Sequence, residues 1–361
     1  MFWSPIKIAP KKSVGIDIGT SSIKVVELGT AGERVKLENY GEVGASAFYE
    51  KPFKAFERNT LVLSNREIAQ AIQIIFAKAE IQTREAIFSI PDFSSFFTTF
   101  KLPPMTEEEL PEAVRFEARQ HIPLPLPEVV LDWSLIDEGG FKRQKEGPEV
   151  LLVAVPHETI NQYQEIAKMV QIKIIALEAE VFGLVRSLVK EKKGLVSIID
   201  IGAQTSTINI IEAGILKSSH SFDVSANELT RVLSKSLNID YNEAEGLKKR
   251  HGIKNLEINV GRAILPLLDL MLSEIVKVDR NFYQATGREI EKFIISGGTA
   301  LMPGLREYFE KYLQKPTEIA SPFKEIMYPP VLEESLKEMG PRYTVPVGMA
   351  LRGLENLRSR R

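Results

Sequence analysis

Two stretches of the chain alternate apolar and polar residues, and each is broken by a turn of small hydroxyl residues. The first extends from Ser13 to Leu28, with apolar residues at alternate positions before Gly19 and an apolar run after it. The second extends from Leu195 to Glu212 and has the same order of residue types. Period-two alternation around a tight turn predicts a β-hairpin in each case. An Asp-Ile-Gly triplet ends each first strand, starting at Asp17 and Asp200, so each half of the chain opens with the same predicted hairpin.

A third apolar stretch predicts a buried strand followed by a helix. Phe293 to Ser296 forms the strand, and the pair Gly297-Gly298 separates it from the residues that follow. Pro303 favours the first turn of the helix, where the N–H that proline lacks would have no helical partner. The apolar face of this helix has a spacing of 3.6 residues and consists of Leu305, Tyr308, Phe309, Tyr312 and Leu313.

The region between the hairpins, from Pro91 to Val181, predicts a small α/β unit of its own. It contains a helical stretch, a connection with alternating prolines at 123, 125 and 127, two strand patterns, and a helix over Thr159 to Val170. Pro111 would break the interior of the first helix, so this helix is expected to start late. The alternating prolines favour a rigid connector over a polyproline ligand for another domain.

Composition narrows the class of protein. A chain of 361 residues, of which 44% are hydrophobic and 26% charged, corresponds to about two or three globular domains. The absence of cysteine excludes disulfides, thiolate catalysis and zinc–thiolate sites. A net charge of −2 gives no overall basic surface, so we expect no nucleic-acid partner.

The sequence predicts neither a membrane span nor an export signal. The longest apolar stretch, Ala263 to Val276, is interrupted by Asp269 and Glu274 and is shorter than the roughly 18 residues that a spanning helix needs. The first residues carry lysines after the aromatics and lack the apolar core of an export signal. We therefore expect a cytoplasmic protein.

The two predicted hairpins have the residue types of a phosphate site. Gly19 and Gly202 let the backbone approach a ligand closely, and the small hydroxyl side chains of the turns add donors. Asp17 and Asp200 carry only acceptors and would repel phosphate, so a cation is needed between them, and Mg²⁺ held partly through water meets this need. Lys24 is expected to add positive charge. Either hairpin alone is typical of an ordinary turn, and the repeat is what favours a site.

Together, the two hairpins and the glycine pair resemble the phosphate-binding and adenosine-binding segments of the actin, sugar-kinase and heat-shock-chaperone ATPase superfamily, over residues 14 to 304. The resemblance implies two similar domains that close on ATP and Mg²⁺. It also implies nucleoside contacts by Glu228, Glu245 and Lys248, although each of these segments alone is typical of an exposed helix pair. The nucleotide-binding residues that it implies are Gly19, Thr20, Ser21, Ser22, Lys24, Gly202, Ala203, Gln204, Thr205, Glu228, Glu245, Lys248, Gly297, Gly298 and Leu301, with Asp17 and Asp200 as metal-binding residues.

The inserted region resembles a narrower family, the type IV pilus assembly proteins called PilM, and more distantly the division protein FtsA. The most specific piece is the run from His121 to Trp133. The implied fold is an α/β, actin-like two-domain ATPase fold of duplicated ribonuclease H-like domains, with a small α/β subdomain inserted in the first. The expected segments are an N-terminal arm at 1–13, a first domain at 14–194 with its insert at about 91–175, a second domain at 195–345, and a C-terminal helix at 346–361 that returns to the first domain.

The family resemblance implies an ATP-binding cytoplasmic scaffold or adaptor in the inner-membrane platform of the type IV pilus or a related type II secretion system. Its implied partner is the cytoplasmic N-terminal peptide of a PilN-like bitopic membrane protein, which would attach the chain peripherally to the inner membrane. Pilus motor ATPases and self-association are further implied contacts. The alternatives left open are an FtsA-like division or filament-forming protein, and an active ATPase or small-molecule kinase of the same superfamily.

Hydrolysis of ATP would need a residue that orients water. Glu180 resembles the glutamate-bearing segment of bacterial actins and is the catalytic candidate, but Val181 stands where those proteins have proline. The alternative is that Glu178 and Glu180 only place negative charge at a helix N-terminus. We therefore expect at most a slow ATPase.

A cluster of aromatic residues is the candidate docking surface for the partner's peptide. Phe93, Phe96, Phe97 and Phe100 follow one another closely, and in a strand two of the four would point away from the core. The other interpretation is that these phenylalanines belong to the core. An exposed strip would bind a peptide through apolar contacts, with weak dependence on salt.

Overall fold

The computed structural model describes residues 12–48, 61, 63–136, 147–190, 193–254 and 259–359. Residues 1–11, most of the predicted N-terminal arm, lie outside the described residues. In chain order the strands are β1 (Lys12–Ile18), β2 (Ser22–Ala31), β3 (Arg34–Gly44), β4 (Glu85–Ile90), β5 (Phe96–Lys101), β6 (Val129–Leu135), β7 (Glu149–Pro156), β8 (Lys173–Ala179), β9 (Leu195–Ile201), β10 (Ser206–Glu212), β11 (Ile215–Phe222), β12 (Lys292–Ser296) and β13 (Thr317–Ile319). The helices are α1 (Asn65–Lys78), α2 (Leu110–His121), α3 (His157–Met169), α4 (Glu180–Leu188), α5 (Ala226–Leu237), α6 (Tyr241–His251), α7 (Asn259–Thr286), α8 (Leu305–Leu313), α9 (Glu333–Met339) and α10 (Thr344–Ser359).

The first hairpin forms the centre of a five-stranded sheet with the order β3-β2-β1-β4-β8. β1 pairs antiparallel with β2 and parallel with β4, which explains why six of its seven residues are buried. Val14, Ile16 and Ile18 point to the face that α1 and α3 cover. The opposite face packs against α4 and α10. The predicted strand, turn and strand are confirmed.

The second hairpin has the same place in a second sheet, with the order β11-β10-β9-β12-β13. β9 pairs antiparallel with β10 and parallel with β12, so the hairpin and its neighbouring strand repeat the arrangement of the first sheet. Helices α5 to α8 cover one face. The helix predicted near Pro303 begins at Leu305, after Gly304 in the left-handed conformation, so Pro303 precedes the helix instead of starting it.

Helix α4 lies between the two sheets. Its residues Val181, Leu184 and Val185 belong to one apolar cluster with Ile87 of the first sheet and Ile198 of the second. A helix with apolar residues on two sides suits this position, because each side packs against a different sheet. The N-terminus of α4 consequently faces the space where the two hairpin turns meet.

The inserted unit is a three-stranded antiparallel sheet with the order β5-β7-β6, covered on one face by α2. α2 begins at Leu110 with Pro111 in its first turn, which confirms the late start. The backbone N–H and hydroxyl of Thr106 both donate to Oε2 of Glu109, at 2.8 and 2.9 Å, and fix the turn that leads into the helix.

The expectation of an exposed phenylalanine strip is wrong. Phe100 is buried and its ring stacks on His121 at 5.1 Å between centroids. Phe97 is half-buried and lies against Phe182 of α4, while Phe96 packs toward α2. Phe93 is half-buried as well. The exposed residues of β5 are Thr99 and Lys101, so the strand presents polar and not apolar side chains to solvent.

The chain returns to the first sheet earlier than the sequence predicts. Backbone hydrogen bonds join Met327 to β3, with the Leu37 N–H donating to Met327 at 2.8 Å and the Met327 N–H donating to Val35 at 2.9 Å. Phe323 and Tyr343 pack with β2 and β3 in one apolar cluster. We propose that the second domain ends near residue 320 instead of 345.

Close contact between two glycines sets the crossing of α4 and α10. A Cβ atom built on Gly348 would lie 2.0 Å from the backbone oxygen of Gly183. No side chain fits in that distance, so only glycine lets the two helices approach this closely. Gly246, in the interior of α6, has no neighbour within 4 Å of such an atom.

We expect Gly348→Ala to lower the free energy of unfolding by about 1–3 kcal/mol, because α10 must move away from α4 to make room for the methyl group. Gly246→Ala makes the same chemical change in open space and should raise stability by about 0.5–1 kcal/mol through helix propensity. Urea unfolding of both variants measures the difference. Equal effects would contradict the role given to the helix crossing.

Candidate functional site

A cleft of about 320 Å³ opens between the two sheets, where both hairpin turns and the N-terminus of α4 meet. Of the residues implied by the sequence, those that line the cleft are Asp17, Gly19, Thr20, Ser21, Ser22, Lys24, Glu180, Asp200, Gly202, Ala203, Gln204, Thr205, Glu245, Lys248, Gly297 and Gly298. Glu228 and Leu301 are not among the lining residues. Residues far apart in the chain are therefore brought to one place by the repeated topology.

The two hairpin turns have the same backbone hydrogen bond. The N–H of Gly19 donates to the carbonyl of Ser22 at 3.1 Å, and the N–H of Gly202 donates to that of Thr205 at 3.0 Å. A Cβ atom on Gly202 would lie 2.7 Å from the Thr205 oxygen, so this tight closure requires glycine. Each turn presents a short, compact stretch of backbone to the cleft, as an anion site requires.

Asp17 is held by two partners at the floor of the cleft. The hydroxyl of Ser89, on β4, donates to its Oδ1 at 2.8 Å, and Nζ of Lys24 lies 3.3 Å from its Oδ2. Lys24 faces Asp17 directly across the β1–β2 pair, and both side chains are buried. The charge of Lys24 therefore offsets that of Asp17, while its side chain also lines the cleft.

Asp200 is the equivalent residue of the second hairpin. It lies beside Ser296 in the parallel pairing of β9 and β12. Burial raises the pKa of Asp200 to about 6, with a further contribution from the charge of Asp17 and a lowering effect from the Ser296 hydrogen bond. No lysine faces Asp200 across its hairpin, because Thr207 occupies the position that corresponds to Lys24.

Glu180 and Asp92 form a reciprocal pair at the start of α4. The N–H of Val181 donates to Oδ1 of Asp92 at 3.3 Å, and the N–H of Asp92 donates to Oε2 of Glu180 at 3.4 Å. Burial raises the pKa of Glu180 well above its usual value, and the charges of Asp17, Asp92 and Asp200 raise it further. Burial also raises the pKa of Asp92 to about 7.

Asp92 was not identified from the sequence, although a signal for it exists. It follows β4 after Pro91, and β4 runs parallel to β1, which ends near Asp17. Parallel strands meet a ligand at their carboxyl ends, so a carboxylate just beyond β4 was a candidate on topology alone.

Glu178, the other glutamate considered near the start of α4, lies at the end of β8 and has a structural role. Its two carboxylate oxygens accept from Arg186 at 2.7 and 2.9 Å, and Oε1 also accepts from Arg352 of α10 at 2.6 Å. The carboxylate is nearly buried. It therefore fastens the C-terminal helix to α4 and takes no part in the cleft.

The far end of the cleft is built on a buried lysine. Nζ of Lys248 donates to the hydroxyl of Thr230 at 2.7 Å and to the carbonyl of Ala226 at 3.0 Å, and lies 2.7 Å from Oε2 of Glu245. Burial lowers the pKa of Lys248, against the raising effect of Glu245. The pair of Glu245 and Lys248 is therefore rigid. The Glu245 carboxylate is held by three donors: the Thr230 hydroxyl, Nζ of Lys248 and Nζ of Lys249.

The glycine pair faces this end of the cleft in two different ways. Gly297 has a φ of +90°, and a Cβ atom on it would lie 2.4 Å from the backbone oxygen of Ile201, so glycine is required. A Cβ atom on Gly298 would meet nothing within 4 Å, which leaves free space where a ligand could lie. The position of Gly298 fits the approach of a flat group such as a purine.

Two of the residues that the resemblance implies, Glu228 and Leu301, lie outside the lining of the cleft. Glu228 pairs with Arg231 on its own helix, and Leu301 is 46% exposed. Asn227, one residue before Glu228, lines the cleft, and its Oδ1 accepts from the hydroxyl of Tyr241 at 2.9 Å. The difference is one of helix phase: α5 begins at Ala226, so Asn227 faces the cleft and Glu228 turns away.

The family was established by comparison with known sequences. The family model of the type IV pilus assembly protein PilM matches residues 15–354. The chain belongs to the PilM family. It is therefore a type IV pilus assembly protein of actin-like fold, as the sequence predicts.

Solved structures agree on the fold of this PilM-family chain. A PilM–PilN type IV pilus biogenesis complex matches with a TM-score of 0.82 and 23% identity, over 94% of this chain and 98% of that chain. The ethanolamine utilization protein EutJ from Carboxydothermus hydrogenoformans matches with a TM-score of 0.58 and 18% identity, over 95% and 90%. MreB5 of Spiroplasma citri bound to AMPPNP matches with a TM-score of 0.55 and 13% identity, over 97% and 98%. The predicted actin-like α/β fold is confirmed.

None of the helices within the described residues has the length and apolar character needed to cross a bilayer. The same part of the chain contains no group of three or more His, Asp or Glu side chains arranged to hold a metal ion.

A second concavity of this PilM-family protein, of about 530 Å³, lies between the N-terminal ends of α1 and α3 and is here named the α1–α3 groove. Its lining includes Asn65, Ser94, Glu158, Gln162, Tyr163 and Glu165. Nε2 of Gln162 donates to Oδ1 of Asn65 at 2.9 Å, and Nδ2 of Asn65 donates to Oε2 of Glu165 at 2.8 Å. Tyr163 is fully buried, and its hydroxyl has no hydrogen-bond partner among the residues that the structure describes.

The raised pKa of Asp92 has a consequence for stability. Its folded pKa of about 7 exceeds the usual 3.8, so the folded state binds the proton more tightly and stability falls as pH rises through that interval. Asp92→Asn keeps an acceptor for Val181 and removes the ionisation. At each pH, the unfolding free energy of Asp92→Asn is compared with that of the unsubstituted protein. We expect this difference to favour the variant more at pH 8 than at pH 5, by about 1–4 kcal/mol, since one pKa unit corresponds to about 1.4 kcal/mol.

Urea unfolding at the two pH values, without Mg²⁺ or nucleotide, measures this difference. Asp132→Asn, at an exposed position on β6, is the matched control and should show no such change with pH. The same change in both variants would contradict the burial of a charge at Asp92.

Proposed function

We propose that this chain is an ATP-binding adaptor of the inner-membrane platform that assembles type IV pili. It holds ATP with Mg²⁺ in the cleft and the cytoplasmic N-terminal peptide of a PilN-like membrane protein in the α1–α3 groove. The nucleotide part of this proposal rests on two hairpin turns that have the same backbone hydrogen bond. They lie on opposite sides of one cleft, and each follows an aspartate.

Different residues of the cleft suit the phosphates, the ribose and the base of ATP. The turns Gly19–Ser22 and Gly202–Thr205 offer backbone and hydroxyl donors to the phosphates from two sides. Glu245 is fixed by Lys248 in a position to accept from ribose hydroxyls, and Gly298 leaves room for the base. The same fold in MreB5 of Spiroplasma citri, which is bound to AMPPNP, supports an adenine nucleotide.

The charges of the cleft fit a divalent cation. Asp17, Glu180 and Asp200 line it, Asp92 is buried beside Glu180, and the charges of several of them raise the pKa values of the others. A cation relieves that repulsion and would lower the pKa of Asp200 back toward its usual range. Mg²⁺ keeps several waters and is commonly held by one or two carboxylates with phosphate oxygens, which assigns Asp17 and Asp200 as its carboxylates through water.

Binding, and not turnover, is the proposed output of the cleft. Glu180 lines the cleft, but burial and the neighbouring carboxylates raise its pKa, which favours the protonated form that cannot take a proton from water. Its hydrogen bond from Asp92 also holds it at the start of α4. We propose at most slow hydrolysis by the isolated chain.

The α1–α3 groove has the chemistry of a site for an extended peptide. The chain of hydrogen bonds from Gln162 through Asn65 to Glu165 lines it with amide and carboxylate groups that can pair with peptide backbone. Glu158 and Glu165 favour a basic residue in the peptide. Ser94, on the opposite side of the groove lining, adds a hydroxyl that can donate to or accept from the peptide.

The proposed partner gives the chain its place in the cell. A PilN-like bitopic protein would hold the chain at the cytoplasmic side of the inner membrane, and the structure of a PilM–PilN complex with the same fold supports such a partner. The polar lining of the groove replaces the apolar docking surface first expected, so binding should weaken in salt. Contacts with pilus motor ATPases and self-association remain predictions from the family resemblance.

Asp17→Asn and Asp200→Asn are expected to weaken ATP binding by at least about tenfold in Mg²⁺, which equals about 1.4 kcal/mol, and to have little effect in EDTA. The reason is that each substitution removes a carboxylate from the cation and keeps the size of the side chain. Calorimetric titration with AMPPNP measures both conditions, with Asp132→Asn as a control. Failure of the unsubstituted protein to bind any adenine nucleotide would overturn the proposed cofactor.

Gln162→Ala is expected to weaken binding of a synthetic peptide with the first residues of the PilN-like partner by roughly fivefold, about 1 kcal/mol, because a hydrogen bond at the groove is lost. Gln164→Ala is the matched control, two positions along the same exposed helix and outside the groove lining. Fluorescence anisotropy of a labelled peptide measures both affinities. If the two variants behave alike, the peptide binds elsewhere.

A further inference from the structure

A short proline segment on the first domain, residues 328–332, is here named the proline loop. Backbone hydrogen bonds join Met327 to β3 immediately before it, and the N–H of Leu332 donates to the carbonyl of Pro329 at 2.9 Å. Pro329 has a φ of −59° and a ψ of 134°, the extended polyproline conformation. Val331 is 85% exposed, more than any other large apolar side chain in the part of the chain that the structure describes. The loop is therefore fixed at both ends while its apolar side chains face water.

The shape and charge of the proline loop define the surface that it fits. A preformed extended proline segment loses little conformational entropy on binding and docks against aromatic side chains. Glu333 and Glu334 follow the loop at the start of α9, and both are exposed. They share one cation, Lys337, at distances of 3.0 and 3.3 Å, so this end of the loop carries net negative charge. A complementary surface is therefore aromatic and bordered by basic residues.

Such a surface lies on the second domain, where α7 and α8 pack together. It consists of Leu270, Tyr308 and Tyr312 and is here named the tyrosine face. The hydroxyl of Tyr308 donates to Asp269, which fixes this ring beside α7, and the ring centroids of Tyr308 and Tyr312 are 6.5 Å apart. Leu270 is 49% exposed and Tyr312 is 46% exposed. Aromatic and aliphatic side chains therefore meet solvent at neighbouring positions on the two helices.

Lysines border the tyrosine face. Lys311 is exposed on α8, directly before the second tyrosine of the face. Lys277 follows Leu270 by two helical turns and lies on the same side of α7, where it is 3.7 Å from Glu274 and its side chain is 67% exposed. These positive charges complement the two glutamates after the proline loop. The chain thus carries both halves of one contact, and the exposure of Val331 means that the two halves do not cover each other within one molecule.

We propose that the proline loop of one copy binds the tyrosine face of a second copy of this chain. The two surfaces lie on different domains, so the contact is heterologous: each pair of copies leaves one loop and one face unoccupied, and further copies can add head to tail. The five residues of the loop cover far less than the roughly 1,200 Å² of a stable interface, so the association is weak and reversible. It needs neither nucleotide nor the partner's peptide and does not rest on the function proposed above.

Sedimentation equilibrium of the protein without ligands, between about 1 and about 300 µM, tests the proposal, because small interfaces dissociate in this range. We expect the average mass to rise past that of a dimer at the highest concentrations. Val331→Asp places charge in the proline loop and Tyr312→Ser removes a ring from the tyrosine face, so each should weaken association by at least about tenfold. Phe116→Ser, at a 64% exposed position on α2 outside both surfaces, is the control and should associate like the unsubstituted protein.

Mixing the two variants distinguishes a head-to-tail contact from other association. Val331→Asp keeps its tyrosine face and Tyr312→Ser keeps its proline loop. An equal mixture should therefore form dimers and no larger species, whereas each variant alone stays monomeric. The charges are tested in the same way: Lys311→Glu should weaken association, and adding Glu334→Lys to that chain should restore it.

Three results overturn the proposal. They are a monomer mass for the unsubstituted protein at every concentration, association that persists in both single variants, and an equal mixture that stays monomeric. If circular dichroism shows that Tyr312→Ser does not fold, Lys311→Glu takes its place in the mixture, since Lys311 is an exposed residue of the same helix.

Discussion

Buried negative charge at the point where strands end is the constraint on which the rest of this structure depends. β1 and β9 each deliver an aspartate to one cleft, β4 leads to Asp92, and α4 adds Glu180. Carboxylates removed from water are costly unless they are paired, protonated or hydrogen-bonded. The structure uses all three: Lys24 pairs with Asp17, hydroxyl groups donate to the aspartates, and the raised pKa values favour protonation of the rest.

That constraint explains the asymmetry between two otherwise repeated halves. Asp17 has a lysine opposite it, whereas Asp200 has Thr207. One aspartate thus has a cation of the protein opposite it, and the other does not. The two halves differ at this single cross-strand position, and in the function proposed above Asp200 is the carboxylate that gains most from a cation in the cleft.

Local pattern was enough to predict the hairpins, the glycine pair and the presence of an inserted unit, because strand alternation and turn residues are properties of neighbouring positions. It did not predict the make-up of that unit: the sheet has three strands instead of two, and α3, expected in the insert, covers the first sheet. The misses all depend on what lies across space. Phe97 is covered by Phe182 of a distant helix, Asp92 gains its partner from Val181, and Tyr163 looks like an ordinary apolar-face residue until its hydroxyl is found without a partner. Whether Asn227 or Glu228 faces the cleft depends on the residue at which α5 begins. Sequence pattern does not predict a helix boundary to within one or two residues.

The early return of the chain at Phe323 makes the second half a single continuous segment set into the first. β9 opens that segment and β13 closes it, and both pair with β12, with Ser197 and Thr317 on either side of Phe293. Because β9, β12 and β13 are parallel, the chain enters at the N-terminal edge of this sheet and leaves at its carboxyl edge, where Asp200 and Ser296 line the cleft. Topologically the first half is therefore one module interrupted once, and its chain resumes from the edge of the second sheet that borders the cleft.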